Sequence, residues 1–272
     1  MTPFLVAASL SGAADAEWAK RAADCVDVAL LGGVALDPPS RAAARDLVAR
    51  GREEFLPADP VAFVADQFDA LADAPVRPGI NVRSAAVEPV REVAAVCARR
   101  GAVCEINAHC RQPELRAVGC GESLLREPDR LARYVAAAAE TGATTSVKVR
   151  AGVSGVDLVA VAEAAAAAGA DWLHVDAMDS VPVIAALSAR TQGGAPAGDG
   201  PLADLTLVAN NGVRGRETVA EYAARGADAV SVGRPTEDPP VLGRVADAVE
   251  AWRRGTLRER DAETESGPEA RP

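Results

Sequence analysis

Lysine and histidine are scarce in this sequence, so the positions where they occur are informative. Of 272 residues, only Lys20 and Lys148 are lysine, and only His109 and His174 are histidine. Lys148 interrupts the apolar run Ser146-Val147-Lys148-Val149-Arg150. An ammonium in such a run needs a partner. That partner is either a carboxylate such as Glu105, in a structural ion pair, or a bound anion or electron-rich ring. His174 lies in a similar run, Leu173-His174-Val175-Asp176, and His109 stands in Asn107-Ala108-His109-Cys110. Each histidine reads as a ligand-facing group or as a hydrogen-bonded rim residue. Cys110 opens a loop running to Gly121 and offers a thiol for proton transfer; Cys120, at the loop's far end, competes for that role. Asn210-Asn211-Gly212 and Gly233-Arg234 combine close backbone approach with a cation, as a phosphate site requires.

The elements that must position these groups follow a regular alternation. Short β-branched runs at 4–8, 26–31, 79–82, 103–107, 145–149, 172–176, 205–210 and 229–233 are each followed by an alanine-rich helical pattern. Near-continuous apolar strands suit a parallel sheet covered on both faces. Eight β–α pairs in a chain of this length predict an α/β fold, a (β/α)₈ TIM barrel of one domain over residues 1–254. Active sites of such barrels form at the C-terminal strand ends. Asn107, Cys110, Lys148, His174, the Asn210 triplet and Gly233-Arg234 all fall at or near those ends. Gly-Ala-Asp recurs at 169–171 and 226–228, each time between a helix and a strand, and is read as punctuation. The polar stretch 50–59 and the Gly/Pro-rich stretch 192–201 read as loops, and the charged tail 255–272 as disordered.

Composition narrows the classes. Hydrophobic residues make up 49%, enough for a large core, and no apolar run reaches the roughly 20 residues of a membrane helix. The opening PFLVAASLSGAA lacks a basic start and reads as a first strand rather than a leader. Five cysteines without a C-x-x-C pair fit a reducing cytoplasm and no structural metal. A metal site from His109, Cys110 and His174 lacks any close-spaced ligand pair. The net charge of −10 argues against nucleic acid.

Several ordered segments together resemble the tRNA-dihydrouridine synthase family over about residues 4–245. EINAHCRQPELRAVGCGESLLREP (105–128) is similar to that family's cysteine segment, with Cys110 and Gly121 at the family's spacing. SVKVRAG (146–152), LHV (173–175), VANNGV (208–213) and GADAVSVGR (226–234) follow in the family's order. The resemblance implies FMN as cofactor and NADPH or NADH as its reductant. It implies that Lys148 and His174 contact the isoalloxazine. Asn210, Asn211, Gly212, Gly233 and Arg234 would hold the phosphate, and Asn81 would fall near where the family places a glutamine beside the flavin. Asn107 would lie by flavin and substrate, and Cys110 would be the general acid that protonates a uracil-like ring after hydride transfer. The sequence departs from the family on the substrate side. His109 replaces a glycine, Arg111 a proline and Asp176 an arginine, and no counterpart of the family's C-terminal helical RNA-binding domain is present.

These readings lead to an FMN-dependent oxidoreductase acting on tRNA uridine or a smaller pyrimidine-like ring, with no tight tRNA complex expected of this chain alone. Two alternatives stay open: a flavin-free barrel enzyme acting on a phosphorylated small molecule, and a non-catalytic flavin- or phosphate-binding barrel.

Overall fold

A computed structural model describes residues 2–178, 180–191, 202 and 204–257. In chain order the elements are β1 Phe4–Ala7, α1 Ala16–Ala22, β2 Val28–Ala35, α2 Pro38–Ala49, α3 Pro60–Asp69, β3 Arg77–Arg83, α4 Glu88–Arg100 and β4 Val103–Asn107. They continue with α5 Pro113–Ala117, α6 Pro128–Ala139, β5 Thr144–Arg150, α7 Leu158–Ala167, β6 Trp172–Asp176, α8 Pro182–Thr191, β7 Thr206–Asn210, α9 Arg216–Ala224, β8 Ala229–Val232 and α10 Pro239–Arg253. The eight strands are all parallel and close into a barrel in sequence order, β8 pairing with β1. The expected strands are present within a few residues. The exception is β2, which runs on to Ala35 because Gly32-Gly33 is absorbed as a register shift against β3 instead of ending the strand. The stretch 50–59 joins α2 to α3. The stretch 192–201 and most of the tail, 258–272, lie outside the described residues. No described helix is long and apolar enough to cross a membrane.

Side chains alternate along each strand, and the inward positions form two layers. The lower layer is apolar: Val6, Val28, Leu30, Val103, Trp172, Val208 and Ala229 pack together, with Phe4 tilted on Trp172 at 5.1 Å. The upper layer is polar and buried, with Asn81, Glu105, Asn107, Ser146, Lys148, His174 and Ser231. The outward positions pack under the helices in one large core. Helix starts are fixed by aspartates: Asp15, Asp37, Asp59, Asp157 and Asp238 each accept N–H bonds from the first turn.

The Gly-Ala-Asp repeat has a mechanical role. Gly169 and Gly226 take the left-handed conformation after their helices (φ 97° and 83°). The aspartate then reaches sideways. Asp171 accepts from Thr145 N and Asp228 from Leu207 N, each tying down the start of the preceding strand. Asp27 does the same for Leu5 N at 2.7 Å. These are structural duties at the end of the barrel opposite the polar layer.

Candidate active site

The polar layer is one connected hydrogen-bond chain. Asn107 Nδ2 donates to Asn81 Oδ1 (2.8 Å), and Asn81 Nδ2 donates to Glu105 Oε1 (2.7 Å). Glu105 Oε2 lies 2.6 Å from His174 Nδ1 and accepts from Ser146 Oγ at 3.2 Å. His174 Nε2 lies 2.7 Å from Ser231 Oγ, which also accepts from Asn210 Nδ2 at 2.7 Å. Strands β3, β4, β5, β6, β7 and β8 are thereby joined across the interior.

Electrostatics assign the protons along this chain. Burial would raise the Glu105 carboxyl, but His174, the Lys148 charge and the Asn81 donor outweigh it and hold the group below the usual carboxylate range. Burial, reinforced by Lys148, lowers the His174 imidazole against the pull of Glu105. Glu105 is therefore ionised and His174 neutral. Its Nδ1–H donates to Glu105, and Nε2 accepts from the Ser231 hydroxyl. Glu105 was legible in the sequence only as a partner for Lys148. It is instead the hub of the layer, and among the described residues Lys148 has no hydrogen-bond or ion-pair partner. Lys148 is 3% exposed, and burial lowers its ammonium while Glu105 and Asp176 act to raise it.

Above this layer two cavities meet at the C-terminal strand ends. One, of about 250 Å³, is lined by Lys148, Asn210, Asn211, Gly212, Gly233 and Arg234, with Arg214 and Ser231 among the other walls. The second, of about 220 Å³, is lined by Asn81, Asn107, Cys110 and four arginines. Ser9, His109 and Asp176 line both. Each lobe alone is smaller than the roughly 300 Å³ at which pockets for drug-sized ligands begin, and the two joined exceed it. Nine of the ten sequence-derived site residues line this double mouth. His174 does not line it: both its ring nitrogens are engaged in the layer below, and it reaches the mouth through Ser231. Among the described residues no group of three metal-ligating side chains is present.

Cys110 is held by two contacts. Asn107 Oδ1 accepts from Cys110 N at 3.1 Å and His109 N at 3.4 Å, so the asparagine caps the turn that carries the thiol. At the other end of the loop, Glu122 N donates to Cys110 O at 2.9 Å across Gly121. Gly121 has φ 65°, and a Cβ there would lie 2.4 Å from Cys110 O. This accounts physically for the fixed gap between the cysteine and the glycine. Cys120 is fully buried against Ala43, Leu47 and Leu115. Burial, aided by Asp37, pushes its thiol up to about 12. Gly121→Ala is expected to displace Cys110 and to cost about 1–3 kcal/mol in urea unfolding, the range for a non-glycine residue in that conformation. Wild-type stability together with a wild-type rate of Cys110 alkylation would show that the contact is unimportant.

Sequence reasoning missed Ser146, Ser231, Arg83, Glu54 and Glu122. Ser231 and Arg83 share the inward parity of residues that were noticed, two positions from Ala229 and Asn81. Glu54 sits in a loop and Glu122 in the short 3-10 helix Gly121–Arg126, where strand periodicity gives no signal.

No family model matches the sequence. The uncharacterized protein MJ0144 of Methanocaldococcus jannaschii is 25% identical over 148 residues. That match covers 54% of this chain and 57% of the relative, so the chain spans little more than half the length of the curated protein it matches. DHODH from Eimeria tenella, solved in complex with ferulenol, superposes with a TM-score of 0.64 at 13% identity, covering 93% of this chain and 82% of that one. Orotidine 5'-phosphate decarboxylase from Pyrococcus horikoshii OT3 gives 0.54 at 14% identity, covering 92% and 99%. 3-Hexulose-6-phosphate synthase from Salmonella typhimurium gives 0.53 at 15%, covering 93% and 99%. The chain is a (β/α)₈ barrel. At these identities the likeness is one of fold.

Proposed function

We propose that this barrel is an FMN-dependent oxidoreductase of the dihydrouridine-synthase type. It would saturate a C=C bond of a uracil-like ring, with Cys110 as proton donor. The observation that carries the proposal is Lys148, a buried cation whose ammonium has no partner among the described residues, facing the same cavity as the Asn210–Gly212 and Gly233–Arg234 segments. The lobe fits the cofactor in two respects. Its inner wall offers a cation to an electron-rich ring, and its outer wall is open at Gly212, where a Cβ would meet nothing within 4 Å. Lys148, Asn210, Asn211, Gly212, Gly233 and Arg234 would hold the group, with His174 fixing Ser231 and Asn210 from below. When bound, reduced FMN supplies the hydride. Cys110 holds the proton for the adjacent carbon, and Asn107 holds Cys110. His109 adds an imidazole to the shared wall where the resembled family has glycine.

Denaturing the purified protein and identifying what it releases is the direct test. A colourless protein that takes up no added FMN overturns the proposal. Lys148→Ala is expected to weaken FMN binding about tenfold or more, the effect of losing one hydrogen bond to a charged group. Unchanged affinity and an unchanged flavin spectrum would assign Lys148 to structure alone. A flavin-free reading is favoured by the phosphate-type lobe itself, since two fold neighbours are named for phosphorylated compounds. The visible spectrum separates the two readings.

A further inference from the structure

The lobe that holds Cys110 has a composition unlike the rest of the chain. Overall, 39 acidic residues outnumber 29 basic ones. Around this lobe stand Arg52, Arg83, Arg111 and Arg150, and among the described residues Asp176 is the only carboxylate in its wall. Two of these arginines are built in from the far side. Arg83 Nη1 donates to Glu54 at 2.6 Å in an ion pair whose side chains are each 2% exposed, and its Nη2 donates to Ser11. Arg150 Nη1 donates to Glu122 at 2.8 Å, with both side chains 11% exposed. In each guanidinium the Nε–H is buried and has no acceptor among the described residues. Arg52 and Arg111 stand on the exposed rim and have no side-chain partner among the described residues.

Buried N–H groups without acceptors are costly and rare in folded proteins. Arg83 and Arg150, each anchored by a carboxylate behind, line the lobe that also holds Cys110 and make a preorganised cationic wall for an oxyanion. His109 registers the same field: after burial, the charges of Lys148, Arg83 and Arg150 hold its imidazole well below the ordinary histidine range.

We infer that this lobe binds the carboxylate of a small unsaturated acid, so that the substrate of the proposed reaction is a free organic anion and not a uridine within tRNA. The inference rests on the proposed reading for the reaction, but not for the binding. A uracil flipped out of RNA brings a neutral ring into a pocket and leaves its phosphates on the surface. Such a ligand would reach Arg52 and Arg111 on the rim and leave the inner pair, Arg83 and Arg150, facing a neutral ring. A carboxylate attached to the reacting ring meets their charge.

The experiment compares uracil with uracil-6-carboxylate (orotate) on the purified full-length chain, by calorimetry and by protection of Cys110 from iodoacetamide. Fumarate serves as a second carboxylate and unmodified tRNA as competitor. Orotate is expected to bind at least about tenfold more tightly than uracil, in line with a charge-assisted hydrogen bond. Arg150→Gln should abolish that preference. Its fold should survive, because Glu122 keeps Arg116 at 3.1 Å. Arg111→Gln, on the exposed rim, should reduce the preference severalfold without changing the melting temperature. Equal binding of orotate and uracil, failure of both carboxylates to bind at millimolar concentration, a preference that survives both substitutions, or displacement of orotate by tRNA would each overturn the inference. Flavin content is read on the same preparation. Carboxylate preference without flavin removes the redox reading and keeps this one; flavin without the preference does the reverse.

Discussion

Glu105→Ala is expected to destabilise the barrel by about 3–5 kcal/mol, since it strands several buried polar groups at about 1–3 kcal/mol each. The substitution leaves His174 Nδ1–H, Asn81 Nδ2 and the Ser146 hydroxyl without their acceptor in the interior. It also removes the carboxylate whose charge opposes the desolvation of Lys148. For a domain of this size each kcal/mol moves the melting temperature by about 2–4 °C, so a loss near 10 °C is anticipated. Glu105→Gln keeps an acceptor for Asn81 but turns an amide N–H toward His174, and should fall between wild type and alanine. A surface pair such as Arg225–Glu221 should contribute almost nothing by comparison. Urea unfolding with unchanged slope measures the difference, and a loss under about 1 kcal/mol for both variants would dissolve the idea of a hub. His174→Ala should couple with Glu105→Ala instead of adding to it, since each strands the other's partner.

The same residue sets a pH dependence. In the unfolded chain the Glu105 carboxyl takes its proton near its ordinary value of 4.5, and in the fold it does so only at lower pH. Between those two values the unfolded chain binds more protons, so stability rises with pH. The contribution is complete above the unfolded value and is lost as pH falls through the folded one. The gap between wild type and Glu105→Gln should therefore narrow in acid and be constant across neutral pH.

The fold was legible because it rests on periodicity. Eight apolar runs separated by amphipathic ones leave few arrangements open, and the closed barrel satisfies them. The boundary of β2 was not legible, since a glycine pair that ends a strand and one that bulges it look alike in sequence. In the site, rarity did the work: one buried lysine and two histidines could be found by counting. What counting could not show is which polar groups satisfy each other. Lys148 and Glu105 invited pairing, yet the carboxylate went to His174, whose ring reaches it from β6, two strands away, at hydrogen-bond distance. The arginine lobe was hidden for a different reason. Arg52, Arg83, Arg111 and Arg150 lie far apart in a chain rich in arginine, and only closure of the barrel brings them to one cavity.

That closure also decides between the two cysteines of the loop. Cys110 faces the arginine lobe, while Cys120 is enclosed by Ala43, Leu47 and Leu115 with its thiol held protonated to about 12. In the proposed reaction the hydride saturates one carbon of the polarised bond, and the Cys110 thiol gives its proton to the other. The resulting thiolate regains a proton from solvent through the open mouth. Removal of a positioned general acid costs about 10²–10⁴ in rate. Cys110→Ala is accordingly expected to retain flavin and its reduction by NADPH or NADH, but to lose that factor in reoxidation by substrate. Cys120→Ala should lose far less. Stopped-flow reoxidation of the two variants reads the difference directly, and a crippled Cys120→Ala, or two unimpaired variants, would refute the assignment. Iodoacetamide gives a check that needs no substrate turnover. It should label Cys110 and spare Cys120 in the folded chain, because the reactive species is the thiolate and burial denies it to Cys120.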